Sequence, residues 1–406
     1  EDRQACKQKI YDFNQLPPSR QSKEAPQMIK NIFSAIGRYF KQTDWLLLLC
    51  CTGLSVFSTL LIYSLYQNGE IGRINTVVVQ PAMALCGIAA AIVLSKIDYH
   101  TMARMWKFHT AVCYGLLLLL FPFGVQRVEW VDDRNWLPIP FLGINFQPSE
   151  LLKISFIITF AYHLSKVKDT LNRPKQLLLL LLHGLLPVAI IHLQGDDGTA
   201  LVMAVIFAAM LFTAGLSWKY ILPVAAMIPP AAIVAWNFLL DDDKKNRILA
   251  VIDPTLVEAA DSWQQQRGLI SIGNGGLWGN GVFMETGQFR YVPEVYNDFI
   301  FTYIGETVGF IGCLAVLLVL AFLCIRILSN GLRAPDDLGK YICVGVFAMI
   351  GIQIIINIGM CLGMMPVIGV TLPFLSAGGT STGTLYLAIG VVLSVYVHSG
   401  KDMLFG

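Results

Sequence analysis

The stretch Val292–Glu306 reads V-P-E-V-Y-N-D-F-I-F-T-Y-I-G-E and joins a long polar loop to a hydrophobic helix. A carboxylate at the edge of an apolar segment is costly to remove from water and usually has a function. We therefore predict that Asp298 is the reactive acid of a membrane enzyme and faces the outer side of the membrane. The alternative is that Asp298 only caps the following helix. Against it, Glu306 lies about 80° further around that helix, and a second acid exceeds what capping requires.

The composition defines the class of protein. The 406 residues are 55% hydrophobic and 14% charged, with a mean hydropathy of +0.61. Soluble proteins carry about 25% charged residues, so these values predict an all-α polytopic membrane protein and exclude a large soluble domain. The net charge of +2 gives no indication of nucleic-acid binding. The nine cysteines include no CxxC pair, so neither a disulfide framework nor a zinc site is predicted.

Ten apolar runs, each near the ~20 residues that a spanning helix needs, are predicted to be transmembrane helices. They cover residues 45–66, 75–96, 106–124, 148–165, 176–193, 198–216, 219–240, 299–326, 341–363 and 381–399. Residues 1–44 are predicted to be a cytoplasmic N-terminal tail, and residues 45–400 a ten-helix membrane domain.

The distribution of Lys and Arg sets the predicted orientation. Basic residues are concentrated in the short loops that are cytoplasmic if the N-terminus is inside, as the positive-inside rule requires. Both termini are therefore predicted to be cytoplasmic. The large loop 241–297, between helices seven and eight, is then extracytoplasmic. No internal repeat is obvious, which weakens an inverted-repeat transporter interpretation.

A second acidic motif opens predicted helix four, where residues 147–153 read Q-P-S-E-L-L-K. Glu150 and Lys153 are three residues apart, so they share a helix face and can pair. One interpretation is a structural ion pair that makes two buried charges tolerable. The other is that Lys153 binds an anionic head group while Glu150 orients it. The motif alone favours the structural ion pair, because ion-pair networks also perturb acids, and the second interpretation is kept as the alternative.

Three further stretches are predicted to reach the outer face. Residues 194–199 read Q-G-D-D-G-T, which is fully explained as a turn with an N-cap, and two carboxylates are a weak signal for a divalent cation. The long loop contains an amphipathic segment, 254–272, and a glycine-rich run, 272–281, that lacks the Lys-Ser/Thr ending of a phosphate-binding loop. Residues 357–381 are uncharged and rich in Gly and Pro, which predicts a broken segment lining a cavity.

Together these motifs resemble the SEDS family (shape, elongation, division and sporulation), which includes RodA, FtsW and SpoVE. The similarity runs from about Asp44 to Val397. The matching motifs occur in the family's order: F-Q-P-S-E-L-L-K (146–153), D-G-T-A-L-V (197–202), L-I-S-I-G-N-G-G-L-W-G (269–279), P-E-V-Y-N-D-F-I-F (293–301) and N-I-G-M followed by L-P-F-L-S-A-G-G-T-S (357–381).

The resemblance implies a peptidoglycan glycosyltransferase that polymerises lipid II on the outer face of the bacterial cytoplasmic membrane, for elongation, division or sporulation. It also implies a class B penicillin-binding protein as partner. The family's essential acid matches Asp298, its helix-four pair matches Glu150 and Lys153, and the acid of its turn matches Asp196. The remaining candidates are Arg267 and Arg290 for substrate binding, and Asn297, Glu306 and Ser376 for support. Arg267 departs from the family, which usually has Gln there.

The expected chemistry is an inverting displacement with Asp298 as general base. Lys153, with Arg267, Arg290 or a divalent cation such as Mg or Mn, would hold the undecaprenyl pyrophosphate leaving group. No metal ligands are identified. A flippase or transporter of lipid-linked precursors is the alternative, and it would place the polar site at the membrane midplane. For a non-enzymatic scaffold, removing the charge of Asp298 would have no effect.

Overall fold

The computed structural model describes residues 42–72, 74–125, 134–139, 144–238, 240–283 and 291–402, and a compact unit begins at Leu46. Apart from its last residues, the predicted tail 1–44 lies outside the described part. The helices are α1 (Trp45–Gln67), α2 (Ile74–Ser95), α3 (Tyr99–Arg104), α4 (Trp106–Leu118), α5 (Leu120–Phe123), α6 (Pro148–Val167), α7 (Pro174–Leu193), α8 (Asp197–Thr213), α9 (Trp218–Phe238), α10 (Asp242–Ile252), α11 (Ala259–Asn274), α12 (Ile300–Leu332), α13 (Asp337–Cys361) and α14 (Gly379–Asp402).

Among the described residues, eight helical segments are long and apolar enough to cross a membrane. They are α1, α2, α4 with α5, α7, α9, α12, α13 and the Gly379–Ser399 part of α14. The two other predicted spans also form helices: α8 has 17 residues, and α6 includes Glu150, Lys153 and Lys166. The polytopic helical fold is therefore confirmed.

The helix α13 lies at the centre of the bundle. It packs against α6, α8, α12 and α14, while α14 makes its most extensive contact with α2. Between α13 and α14 the chain has no regular helix or strand, as predicted for the broken segment. The short antiparallel hairpin of β1 (Leu137–Ile139) and β2 (Ile144–Phe146), which leads into α6, was not predicted. The fold thus brings the starts of α6, α8 and α12 around the end of α13.

The glycine-rich run after α11 is docked on an irregular point in α12. Gly309 has a φ of 67° there, which interrupts the helical backbone. Loop and helix exchange hydrogen bonds at this point: the Asn280 N–H donates to the Glu306 carbonyl and the Phe310 N–H to the Gly276 carbonyl, both at 2.9 Å. Backbone groups at a helix break need such partners in a membrane. The glycines therefore allow two backbones to meet.

Replacing Gly275 by Ala is expected to destabilise the protein by roughly 2–3 kcal/mol, because overpacking forces the backbone to shift. A Cβ at Gly275 would lie only 1.9 Å from the Gly305 carbonyl oxygen. The matched control is Gly273→Ala in the same helix end, where a Cβ would meet nothing within 4 Å. The control should be neutral or stabilising by up to about 1 kcal/mol. Thermal unfolding in detergent compares the two, and equal melting temperatures would contradict this account of the junction.

Candidate active site

The predicted pair at the start of α6 is present and deeply buried. Pro148 occupies the first turn of α6, which suits a residue without an N–H. Lys153 Nζ lies 2.6 Å from Glu150 Oε1, and the two side chains are 2% and 8% exposed. The other Glu150 oxygen accepts a hydrogen bond from Thr384 Oγ1 of α14 at 3.2 Å. The ion pair is confirmed, and in this conformation Lys153 is enclosed by protein.

Asp196 connects Gln147, the residue before α6, to the start of α8. Its Oδ1 accepts a hydrogen bond from the Thr199 N–H at 2.9 Å, so it is the N-cap of α8, as the turn motif predicted. Its Oδ2 accepts from Gln147 Nε2, also at 2.9 Å. Desolvation raises the pKa of Asp196, while the Thr199 bonds and the Lys153 charge act in the opposite direction. Asp196 therefore has a structural role next to the Glu150–Lys153 pair.

The neighbouring Asp197 contacts a helix of the long loop. Its carboxylate lies 2.5 Å from His192 Nδ1 and 3.0 Å from Lys244 Nζ of α10. The hydrogen bond with Asp197 raises the pKa of Lys244, so this lysine stays charged. The Asp197–Lys244 ion pair fastens α10 beside the 194–199 turn. The sequence motifs did not predict this contact, because the two residues are far apart in the sequence.

Asp298 is not the cap of the helix that follows it. The helix α12 begins at Ile300, its N-cap is Phe299, and no side chain makes the capping hydrogen bond. The interpretation of Asp298 as a plain N-cap is therefore wrong. The reason is local: residues 293–299 form a series of turns, which delays the start of the helix.

The backbone around Asp298 is held by α13. Asn357 Nδ2 donates to the Asp298 carbonyl oxygen at 2.8 Å, and Cys361 Sγ lies 3.6 Å from the same oxygen. The carboxylate faces the irregular segment between α13 and α14, where a Cβ at Gly369 would lie 3.6 Å from Asp298 Oδ2. Gly369 has a φ of 69°, a conformation that glycine adopts without strain.

The starts of α8 and α12 both lie against the same short segment, residues 368–370. A Cβ at Gly198, in the first turn of α8, would lie 2.5 Å from the Ile368 carbonyl oxygen. The next residue of the segment, Gly369, lies beside the Asp298 carboxylate. The irregular segment after α13 therefore contacts both the first turn of α8 and the junction at Asp298.

Three of the predicted supporting residues have clear structural partners. Glu306 is buried, and its oxygens accept from Ser271 Oγ at 2.6 Å and Asn274 Nδ2 at 3.1 Å, which fastens α11 to α12. Asn297 Nδ2 donates to Glu294 Oε2 within the turn that precedes α12. Ser376 Oγ accepts from the Leu372 N–H at 2.7 Å.

The structure locates only one of the two loop cations that were predicted to bind substrate. Arg267 lies over the ring of Trp263, one turn away on α11, with its guanidinium carbon 5.3 Å from the ring centroid. Arg290 lies outside the described residues. Sequence reasoning missed Arg247, a half-exposed cation of α10 that donates to the Val367 carbonyl oxygen at 3.3 Å and pairs with Asp243 at 2.9 Å. Arg247 therefore lies beside the segment that Asp298 faces.

The residues of the site are a poor set of metal ligands. Over the described ranges, no three His, Cys, Asp or Glu side chains are grouped so that they could hold a metal ion. Hard divalent cations usually take six or more oxygen ligands, although substrate phosphates can supply some of them. The divalent cation therefore stays a prediction.

Among the described residues, eight long apolar helices, with carboxylates gathered at the starts of α6, α8 and α12, define a polytopic membrane protein. Residues 42–401 match the family model described as "Cell cycle protein", for FtsW, RodA and SpoVE. The chain is 31% identical over 366 residues to the probable peptidoglycan glycosyltransferase FtsW of Geobacter metallireducens, covering 87% of this chain and 94% of that protein. The chain belongs to the FtsW/RodA/SpoVE family, the SEDS proteins, and is a multi-pass bacterial membrane protein.

Two further similarities agree with this membership. The peptidoglycan glycosyltransferase MrdB of Escherichia coli is 30% identical over 363 residues, covering 87% of this chain and 94% of that one. Among solved structures, a chain from a peptidoglycan synthase complex that coordinates polymerization and crosslinking superposes with a TM-score of 0.73 at 24% identity. That match covers 89% of this chain and 99% of the other, and it shows that the fold is shared.

Proposed function

We propose that the protein is a peptidoglycan glycosyltransferase that polymerises lipid II. The observation that carries this proposal is the placement of Asp298: its carboxylate lies beside Gly369, and the preceding residue, Ile368, contacts the first turn of α8. Relatives that cover 87% of this chain are named as enzymes of this class. Carboxylates at the ends of helices, rather than at the midplane, favour an enzyme over a transporter of the same lipid.

In the proposed reaction Asp298 is the general base. It accepts the proton of the acceptor sugar hydroxyl, whose oxygen attacks the anomeric carbon of a second lipid-linked sugar. The bond between that carbon and the pyrophosphate oxygen breaks in the same step. Undecaprenyl pyrophosphate leaves with the electron pair, and the configuration at the anomeric carbon is inverted.

The negative charge of the leaving group requires cations close to the site. Lys153 is the proposed internal cation, with Glu150 setting its position through their 2.6 Å contact. Since Lys153 is buried, this role requires the site to open when substrate binds. Arg247, Arg267 and Arg290 are candidates for the loop side. A divalent cation such as Mg or Mn would add positive charge there, but no step above depends on it.

The proposed topology has ten spans, both termini in the cytoplasm, and residues 241–297 as a large extracytoplasmic loop. It counts α6 and α8 as spans in addition to the eight apolar segments, because their charged or polar starts are paired within the bundle. Asp298 and Asp196 then lie on the outer side, where lipid II is consumed. A class B penicillin-binding protein is the proposed partner, by analogy with the synthase complex of the same fold.

The test is polymerisation of purified lipid II by the wild-type protein, with and without a cognate class B penicillin-binding protein. We expect glycan strands to form, and more of them when the partner is present. A chelator added to the same reaction tests the cation, and an activity loss reversed by Mg or Mn is expected if the cation holds pyrophosphate. A well-folded protein with its partner that leaves lipid II unpolymerised under all these conditions would contradict the proposal.

A further inference from the structure

Asn357 is an amide side chain near the C-terminal end of α13, an apolar helix at the centre of the bundle. It is fully buried. Its Nδ2 lies 2.8 Å from the Asp298 carbonyl oxygen and 2.8 Å from the Val370 carbonyl oxygen. An amide nitrogen carries two protons, so each carbonyl can receive one. One side chain thus uses its whole donor capacity to join the start of α12 to the irregular segment.

Both carbonyls belong to the backbone that shapes the site. One is that of Asp298 itself. The other follows Gly369, whose backbone faces the Asp298 carboxylate. The same segment contacts the first turn of α8 through Ile368 and Gly198. The two hydrogen bonds of Asn357 therefore set the separation between the Asp298 carboxylate and the 368–370 segment.

The chemistry of the position explains the residue type. Both partners are carbonyl acceptors, so the orientation of the amide is determined by its neighbours. Leucine has a similar size but no donor, and serine has a single donor. Hydrogen bonds between membrane helices contribute little stability on average. Misplacing a reacting group by about 1 Å, in contrast, can lower the rate by about 100-fold.

We propose that Asn357 is a positioning residue, which holds the Asp298 carboxylate at its working distance from the 368–370 segment. This inference rests on the proposed function, in which Asp298 is the general base. Asn357 does not touch the reacting atoms. It acts through the backbone of Asp298 and Val370, and its loss should change the rate of the chemical step rather than the binding of substrate.

The test compares Asn357→Leu with Gln353→Leu in lipid II polymerisation with the partner present. Gln353 lies one turn earlier on the same helix, is 2% exposed, and is outside the proposed machinery. We expect Asn357→Leu to lower kcat by about 100-fold at an unchanged KM, the pattern of a lost transition-state interaction. Gln353→Leu should keep kcat close to that of the wild type. Melting temperatures of both variants are measured in parallel.

Equal kcat values for the two leucine variants would overturn the inference, as would a loss confined to KM. If Asn357→Leu does not fold, Asn357→Ser decides the question, since it keeps one donor and should give an intermediate kcat at unchanged KM. A wild-type rate for Asn357→Ser would then reject the positioning role. Failure of the proposed function is distinguishable, because it would leave the wild-type protein inactive or Asp298→Asn fully active in the same assay.

Discussion

Asp298→Asn protein is expected to lose lipid II polymerisation by a factor of about 100 or more while remaining folded. The amide has the size of the carboxylate but cannot accept the proton of the acceptor hydroxyl, and general base catalysis contributes about 10²- to 10⁴-fold. The backbone hydrogen bond from Asn357 to Asp298 does not involve the carboxylate, so the local structure should persist. The measurement is glycan strand formation from purified lipid II with the class B partner present.

The matched control for this variant is Asp253→Asn in the long loop. Asp253 caps a short helical turn by accepting from the Thr255 N–H at 2.9 Å, and Asn caps about as well as Asp. Its activity should be unchanged. Full activity of a well-folded Asp298→Asn protein would remove Asp298 from the catalytic role. It would also favour the alternatives of a transporter or a scaffold, for which this carboxylate performs no proton transfer.

Contacts between residues close in sequence could be predicted, because local geometry decides them. The i,i+3 spacing predicted that Glu150 pairs with Lys153, and the turn sequence at Asp196 predicted an N-cap for α8. Both contacts are present. The ten predicted spans all correspond to helices, and for eight of them, in the described part of the chain, length and apolar composition alone meet the requirement for a membrane span.

The surroundings of Asp298 could not be predicted in the same way. Its partner Asn357 and its neighbour Gly369 are separated from it by the whole of α12, and only the packing of α13 brings them together. Glu306 shows the same limit, since its partners Ser271 and Asn274 belong to a loop helix. A polar amide within the apolar run of α13 was a signal that could have indicated Asn357 as a buried contact.

Removing Lys153 alone should be strongly destabilising. In Lys153→Met the Glu150 carboxylate, whose side chain is 8% exposed, would be left buried without its cation. Breaking a buried pair in this way costs about 3–5 kcal/mol, whereas replacing both partners is often neutral. The double variant Glu150→Gln, Lys153→Met should therefore recover most of the melting temperature of the wild type. Thermal unfolding of the three proteins in detergent measures this.

The activity of the same double variant separates the two interpretations of the pair. If the ion pair only makes two buried charges tolerable, restoring stability restores polymerisation. If Lys153 supplies positive charge to the leaving pyrophosphate, the stable double variant remains inactive, because loss of one such group lowers kcat by about 10²- to 10³-fold. We expect the second result, since the Glu150–Lys153 pair lies at the start of α6, where Gln147 contacts Asp196 at the start of α8. A stable and active double variant would reduce the pair to a structural element and leave the loop cations to hold the pyrophosphate.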